Sequence, residues 1–205
     1  MEKIDKSPYQ GSAQITREQF LFYETRITAK LICEGQDEEE VINRIVEENL
    51  FQYPTEKSIR QMARSCISRL KALDDDTLVR AVALQKSETA KQICLYAMMK
   101  RYHLVWDFMT TVIGEKYRQQ DFSFSQMDVN VFFMQLQEQD DYVAGWSEIT
   151  VKKVRQVMIR ILVENEYLDS FRADHINPVL IDPVLEKVMR KRGEIRALMA
   201  FNCYD

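Results

Sequence analysis

Apolar residues recur along most of the chain at spacings of three and four residues, the pattern that is typical of amphipathic helices. Ile59, Met62, Cys66 and Leu70 show it clearly, because they fall on one side of a helical wheel. The pattern predicts helices over about 16–33, 37–49, 55–73, 76–84, 87–118, 125–138, 148–165 and 182–192. We expect a bend or break near His103, a link or single helical turn over 140–147, and a short helix after Gly193.

Polar residues at the predicted helix starts support these boundaries. The spacing of a capping box occurs at Thr16 and Gln19, at Asp37 and Glu40, and at Ser125 and Asp128. Only five Gly and four Pro occur in 205 residues, so turn-forming residues are few and long helices are favoured over short strands. We therefore expect an all-α fold.

A change of composition at residues 121–128, DFSFSQMD, predicts a domain boundary. It divides the chain into a flexible N-terminus (1–15), an N-terminal helical bundle (16–120) and a C-terminal domain (121–205). Disorder is expected only at the chain ends, because 46% of the residues are apolar and 29% are charged.

The composition also argues against several classes of protein. The longest apolar run, residues 93–99, is far shorter than the ~20 residues that span a bilayer, so no membrane contact is expected. Cys33, Cys66, Cys94 and Cys203 lack zinc-binding spacing, and the first three lie in apolar patterns that predict core positions. Free thiols and the absence of an apolar leader predict a cytoplasmic protein.

Catalytic chemistry is not predicted. The chain has two histidines, His103 and His175, and it contains none of the motifs HExxH, GxSxG or GxGxxG. Because a nucleophile needs a base within hydrogen-bond reach, and no such pair is evident, we expect no catalytic residue. We likewise expect no metal, no cofactor and no small-molecule substrate, and His103 is expected to be structural.

Net charge is −4, but the charges are unevenly distributed. Residues 57–71 contain five basic residues and no acid, and on a helix Lys57, Arg60, Arg64 and Lys71 lie opposite the apolar side. Such a row can contact successive phosphates of a DNA backbone. The alternative interpretation is an ordinary solvated helix face.

Residues 149–163 repeat the pattern, with four basic residues and no acid. The polar side of this helix carries the candidate DNA contacts Thr150, Lys152, Lys153, Gln156 and Arg160. The helix follows another helix and a short link, an order like that of a helix-turn-helix, whose last helix enters the major groove. A hairpin around 171–181 would make the C-terminal domain winged-helix-like, and a simple loop is the alternative.

Four stretches resemble the BrxA family of BREX (bacteriophage exclusion) systems in their order and spacing: FLFYETRITAKLICEG, EENLFQYPTEKSIRQMARSCISRLKAL, TAKQICLYAMMKRYHLVWDFM and GWSEITVKKVRQVMIRIL. The resemblance covers about residues 18–182, and ENLFQYPTEKSI is its most specific part. It implies a non-enzymatic accessory component of anti-phage defence that binds double-stranded DNA. It also implies an N-terminal part similar to NusB-like helical bundles.

Two other functions stay open at this point. The acidic segment 34–48 and the basic faces could dock the protein onto other BREX components, in which case it is a protein-interaction adaptor. The similarity to NusB-like bundles leaves RNA as another possible ligand.

Overall fold

The computed structural model describes residues 6–204, and within them no β-strand forms, so the expected all-α fold class is confirmed. The helices are α1 (Ile15–Glu18), α2 (Phe22–Cys33), α3 (Glu38–Glu47), α4 (Glu56–Ala72), α5 (Asp76–Leu84), α6 (Ser87–Arg101), α7 (His103–Phe108), α8 (Gly114–Arg118), α9 (Gln126–Gln139), α10 (Asp141–Ala144), α11 (Glu148–Glu164), α12 (Pro183–Lys191) and α13 (Ile195–Met199). A π-helical turn, Met109–Ile113, joins α7 to α8.

Two of the predicted capping boxes are confirmed. The Asp37 side chain accepts a hydrogen bond from the backbone N of Glu40, and the Glu40 carboxylate accepts one from the backbone N of Asp37, both at 2.9 Å. Ser125 and Asp128 form the same reciprocal pair at the start of α9. The expected break near His103 is also present, because Tyr102 is extended between α6 and α7.

The predicted helix over 16–33 is wrong in one respect, since it is two helices. Gln19 and Leu21 adopt left-handed φ values of 28° and 53°, which end α1 and delay the start of α2. Thr16 is therefore not an N-cap: it lies inside α1, and its hydroxyl donates to the carbonyl of Ala13 at 2.9 Å.

The described chain separates into two compact units. The first unit contains the described residues up to Gln19, Tyr102–Ile181 and those from Glu186 onward, and the second contains Phe20–Arg101 and Asp182–Leu185. The boundary expected between residues 120 and 121 falls inside the first unit. There the rings of Phe108 and Phe132 lie 5.3 Å apart, and the Tyr117 hydroxyl donates to the Asn177 carbonyl at 2.6 Å.

In the second unit, α4 packs its apolar side against α2 and α3. Ile59 and Met62 are buried in one cluster with Val41 and Ile45 of α3, as the helical pattern predicts. Arg69 is an exception to the expected polarity, because its side chain is buried as deeply as these apolar neighbours.

In the first unit, residues 171–181 form no hairpin of their own. Their hydrogen bonds go to the segment before α9: Phe124 N donates to Asp174 O at 2.8 Å, and Ile176 N donates to Phe122 O at 2.7 Å. The segment is therefore a loop held by a single antiparallel bridge.

Within residues 6–204, no helix combines the length and apolar content needed to span a membrane.

Candidate nucleic-acid interface

Helix α11 carries most of the predicted contact residues. It begins at the cap Ser147, whose hydroxyl accepts a hydrogen bond from Thr150 N at 3.2 Å and lies 2.9 Å from the Thr150 hydroxyl. Val154, Met158 and Leu162 on one side of α11 are buried. The opposite side is exposed at Lys152, Lys153, Gln156 and Arg160, whereas Thr150 is half-buried by its capping contact.

The lysines at the second turn of α11 are unpaired. Among residues 6–204, neither Lys152 nor Lys153 has a carboxylate oxygen within 4.0 Å of its ammonium nitrogen. An ammonium group that no carboxylate neutralises attracts phosphate from solution and releases counterions when it binds. This turn therefore has the electrostatic character that a DNA backbone contact requires.

Short links set the position of α11 relative to the two helices before it. Asp140 alone separates α9 from α10, and its carboxylate caps α10 by accepting from Val143 N at 3.0 Å. Residues 145–147 separate α10 from α11, and the buried Val143 ties α10 to the core. The expected single helical turn within 140–147 is therefore present as α10, and the polar side of α11 is exposed. The helix-turn-helix arrangement stays a prediction.

Helix α4 presents a weaker row of positive charge than its sequence suggests. Arg60 Nε lies 2.7 Å from the Glu56 carboxylate, and Lys71 pairs with Glu38 of α3. Glu38 was missed because it lies 33 residues earlier in the chain, and Glu56 because it precedes the acid-free window.

The other two basic residues on the polar side of α4 differ from Arg60 and Lys71. Lys57 and Arg64 are exposed, and neither has a carboxylate partner among the described residues. The DNA contacts expected at Lys57, Arg60, Arg64 and Lys71 stay predictions.

A groove of about 800 Å³ runs between α1 and α11. The charged residues lining it are Arg17, Lys153 and Arg160, and none of the described lining residues is acidic. Arg160 donates from Nη1 to the Gln19 side-chain oxygen at 2.7 Å, and its guanidinium carbon lies 5.9 Å from the ring centroid of Phe171. Arg17, Gln19 and Phe171 were not predicted as site residues, because only tertiary packing brings them to α11.

The other flank of α11 borders a second groove, of about 520 Å³. Lys152 and Arg155 line it together with Gln126 and Asn130 of α9. The Arg155 guanidinium carbon lies 5.5 Å from the centroid of the Phe133 ring, a cation–π contact that fixes its direction. Arg155 was not predicted as a contact, although its position three residues after Lys152 could have suggested it. Lys152 and Lys153 thus border different grooves.

His103 belongs to a polar cluster with Tyr9 and Asp107. His103 Nε2 lies 3.3 Å from Asp107 Oδ2, and the Tyr9 hydroxyl donates to the same oxygen at 2.5 Å. Burial, followed by the hydrogen bond to Asp107, raises the pKa of Tyr9. These contacts anchor the segment before α1, and in residues 6–204 no serine hydroxyl or cysteine thiol hydrogen-bonds to this imidazole.

The cysteines differ in exposure. Cys66 and Cys94 are buried as expected, and burial raises the pKa of their thiols to about 11 and about 12. The core position expected for Cys33 is wrong: it is the last residue of α2 and is exposed, because the chain turns away just after it at Gly35.

Within residues 6–204, no group of three or more His, Cys, Asp or Glu is placed to hold a metal ion.

Comparison with known proteins gives one consistent result. The BrxA family profile matches residues 8–193. A protein named BREX protein BrxA from Bacillus cereus (strain H3081.97) is 36% identical over 170 residues, covering 82% of this chain and 84% of that protein. A protein of the same name from Escherichia coli O9:H4 (strain HS) is 23% identical over 171 residues, covering 83% and 80%. The crystal structure of an uncharacterized protein from Magnetospirillum magneticum has a similar fold, with a TM-score of 0.77, 22% identity and coverage of 92% and 96%.

Proposed function

Because the chain belongs to the BrxA family, we propose that it is a non-enzymatic accessory protein of a BREX anti-phage defence system that binds double-stranded DNA in the cytoplasm. The observation that carries this proposal is the pair of exposed, unpaired lysines at the second turn of α11, Lys152 and Lys153. The family membership supports the defence role, and the lysines support the ligand.

The contact is built from the N-terminal half of α11. A major groove about 12 Å wide admits a helix, and residues in the first turns of that helix then meet the base edges. Lys152 and Lys153 contact phosphates on the two rims, whereas Gln156, with its amide donor and acceptor, contacts a base edge. Lys57 and Arg64 of α4, in the second unit, are proposed as a separate set of contacts with the DNA backbone.

Binding of this kind depends steeply on salt. Each neutralised phosphate adds about −0.9 to the slope of log affinity against log salt concentration. We therefore expect duplex affinity, measured by fluorescence anisotropy between 50 and 200 mM salt, to fall by at least tenfold if two or more phosphates are contacted.

The deciding experiment reverses the two α11 charges. In Lys152→Glu/Lys153→Glu, duplex affinity should fall by at least tenfold, because two phosphate contacts become repulsions. Lys187→Glu/Lys191→Glu is the matched control, since it makes the same charge change at two exposed lysines of α12. Equal losses in both variants, or no duplex binding by the unmodified protein, would overturn the proposal.

A protein-interaction adaptor is the alternative function, and one observation favours it. Lys71 pairs with Glu38 and Arg60 with Glu56, so part of the basic surface is already neutralised within the protein. An adaptor would capture other BREX components in a pull-down that survives nuclease treatment, and the purified protein alone would retain neither duplex DNA nor RNA.

A further inference from the structure

The groove between α1 and α11 is a concave surface beside the side of α11 that is proposed to contact the duplex. A helix reads a duplex by projecting into its groove, whereas Arg17 and Thr16 of α1 stand beside this flank of α11 and make it concave. Its volume of about 800 Å³ lies in the range of about 300–1,000 Å³ that encloses small organic groups. The groove is therefore suited to a single flat group with an attached charge.

The charge of this groove selects for an anion. Arg17 and Lys153 are exposed, line opposite walls, and have no carboxylate partner among the described residues. Arg160 adds a third cation, which the Gln19 side-chain oxygen orients at 2.7 Å without neutralising it. Three cations with no acid between them are a favourable site for phosphate groups.

The apolar side chains of the groove select for an aromatic ring. Phe171 is 51% exposed, although a phenylalanine is usually buried, and the Arg160 guanidinium lies 5.9 Å from its centroid. An exposed aromatic face beside an arginine is the arrangement on which unpaired bases stack. The side-chain amides of Gln14 and Gln156 also line the groove and can hydrogen-bond to the edge of a base.

We propose that the α1–α11 groove binds an unpaired nucleotide of a DNA strand, with its base stacked on Phe171 and its phosphates held by Arg17, Lys153 and Arg160. This inference rests on the proposed DNA binding and specifies which form of DNA is preferred. The protein then prefers a duplex that carries an extrahelical base over one that is fully paired. A base that has already left the stack carries no unpairing cost.

The test uses the full-length protein and two duplexes of equal length. One duplex is fully paired, and the other carries a single bulged 2-aminopurine, whose fluorescence falls when it stacks on another ring. We expect the bulged duplex to bind about tenfold more tightly, since a base stacked on an aromatic side chain contributes about this factor. We also expect 2-aminopurine fluorescence to fall on binding.

Variants of the exposed Phe171 locate the site. Phe171→Ala should remove both the preference and the fluorescence decrease while leaving paired-duplex affinity unchanged, and Phe171→Leu should do the same because leucine has no π-face. Tyr23→Ala is the control, because Tyr23 on α2 is an aromatic residue even more exposed than Phe171, at 76%, and its loss should change nothing.

The outcomes separate this inference from the proposed function. Equal affinity for the two duplexes, or a preference that survives Phe171→Ala, overturns the groove assignment but leaves duplex binding intact. Competition by free deoxyadenosine monophosphate at micromolar concentration also overturns it, because the groove would then be a mononucleotide site. No binding of either duplex overturns both.

Discussion

Arg69 donates a hydrogen bond from Nη1 to the carbonyl oxygen of Phe20 at 2.7 Å, with only 1% of its side chain exposed. Phe20 lies between Gln19 and Leu21, the two left-handed residues that divide the predicted first helix. The contact joins positions 49 residues apart, and it satisfies a backbone acceptor where the chain leaves helical geometry.

Loss of this contact should destabilise the protein. Arg69→Met leaves the Phe20 carbonyl without this donor in a buried site, which costs about 2 kcal/mol of unfolding free energy. Urea unfolding followed by circular dichroism measures the change. Arg64→Met on the exposed side of the same helix is the control, and it should stay within about 0.5 kcal/mol. Equal effects would show that the buried hydrogen bond contributes nothing.

The α4 charges should contribute unequally to duplex affinity. Lys57→Gln/Arg64→Gln removes two unpaired cations, whereas Arg60→Gln/Lys71→Gln removes two that Glu56 and Glu38 already neutralise. We expect the first double variant to lose about threefold to tenfold in affinity at 50 mM salt and the second to lose less. Anisotropy with one duplex measures both, and the reverse order would exclude α4 from the interface.

Thiol labelling should distinguish the cysteines. A thiol-specific chromogenic reagent at pH 8 should label Cys33 within minutes, because it is exposed. Cys66 and Cys94 should react only after unfolding, since burial raises their pKa to about 11 and about 12 and the thiolate is the reactive species. The measurement uses a Cys203→Ser background, because Cys203 is only half-buried. In that background the rapid phase should vanish when Cys33→Ser is added. A rapid phase that persists would mean that a buried thiol is accessible.

A side chain at Gly114 should destabilise the protein. A Cβ there would lie 3.2 Å from the backbone N of Ala200 and from Met199 Cβ, so these atoms of α13 and its C-terminal end would have to shift by a few tenths of an ångström. We expect Gly114→Ala to cost about 1–3 kcal/mol in urea unfolding. Gly145→Ala is the control, because its nearest neighbours lie at an ordinary 3.5 Å. Equal stability of both variants would contradict the close approach.

Asp121 should make stability depend on acid pH. Hydrogen bonds from the Ser123 side chain and then from Lys116 lower the pKa of Asp121 from 3.8 to about 2. Because the folded value is the lower one, the ionised carboxylate stabilises the fold above pH 4, and this contribution is lost as the pH falls towards 2.

The Asp121→Asn variant tests this effect. Its unfolding midpoint in urea should change less than that of the unmodified protein between pH 5 and pH 2. Glu138→Gln on α9, an exposed carboxylate without an ion-pair partner in residues 6–204, is the control. Identical pH profiles for the unmodified protein and the Asp121 variant would exclude the contribution.

Local patterns predicted the parts of the fold that local physics determines. The Asp37–Glu40 box and the buried side of α4 depend on residues a few positions apart, so the sequence was sufficient. Pairings between distant residues were not predictable. Glu38 neutralises Lys71 from 33 positions away, and Asp174 accepts from Phe124 in place of a hairpin partner.

The candidate site likewise combines residues that the sequence predicted with residues that it could not predict. The exposed lysines of α11 follow from helical periodicity, whereas Arg17 and Phe171 reach the groove through packing of segments more than a hundred residues apart. Neither hydrophobic periodicity nor a sequence motif indicates that Arg17 and Phe171 lie close together.

The first unit is assembled from separate stretches of chain, and this imposes an order on biosynthesis. Phe20–Arg101 is continuous, so most of the second unit is available early in translation. Leu198 and Phe201 are buried in the first unit at 1% and 0% exposure, so the ribosome must add Phe201 before that unit can close. A nascent chain stalled after α11 would expose the apolar surface that α13 covers, and it would depend on chaperones until synthesis resumed.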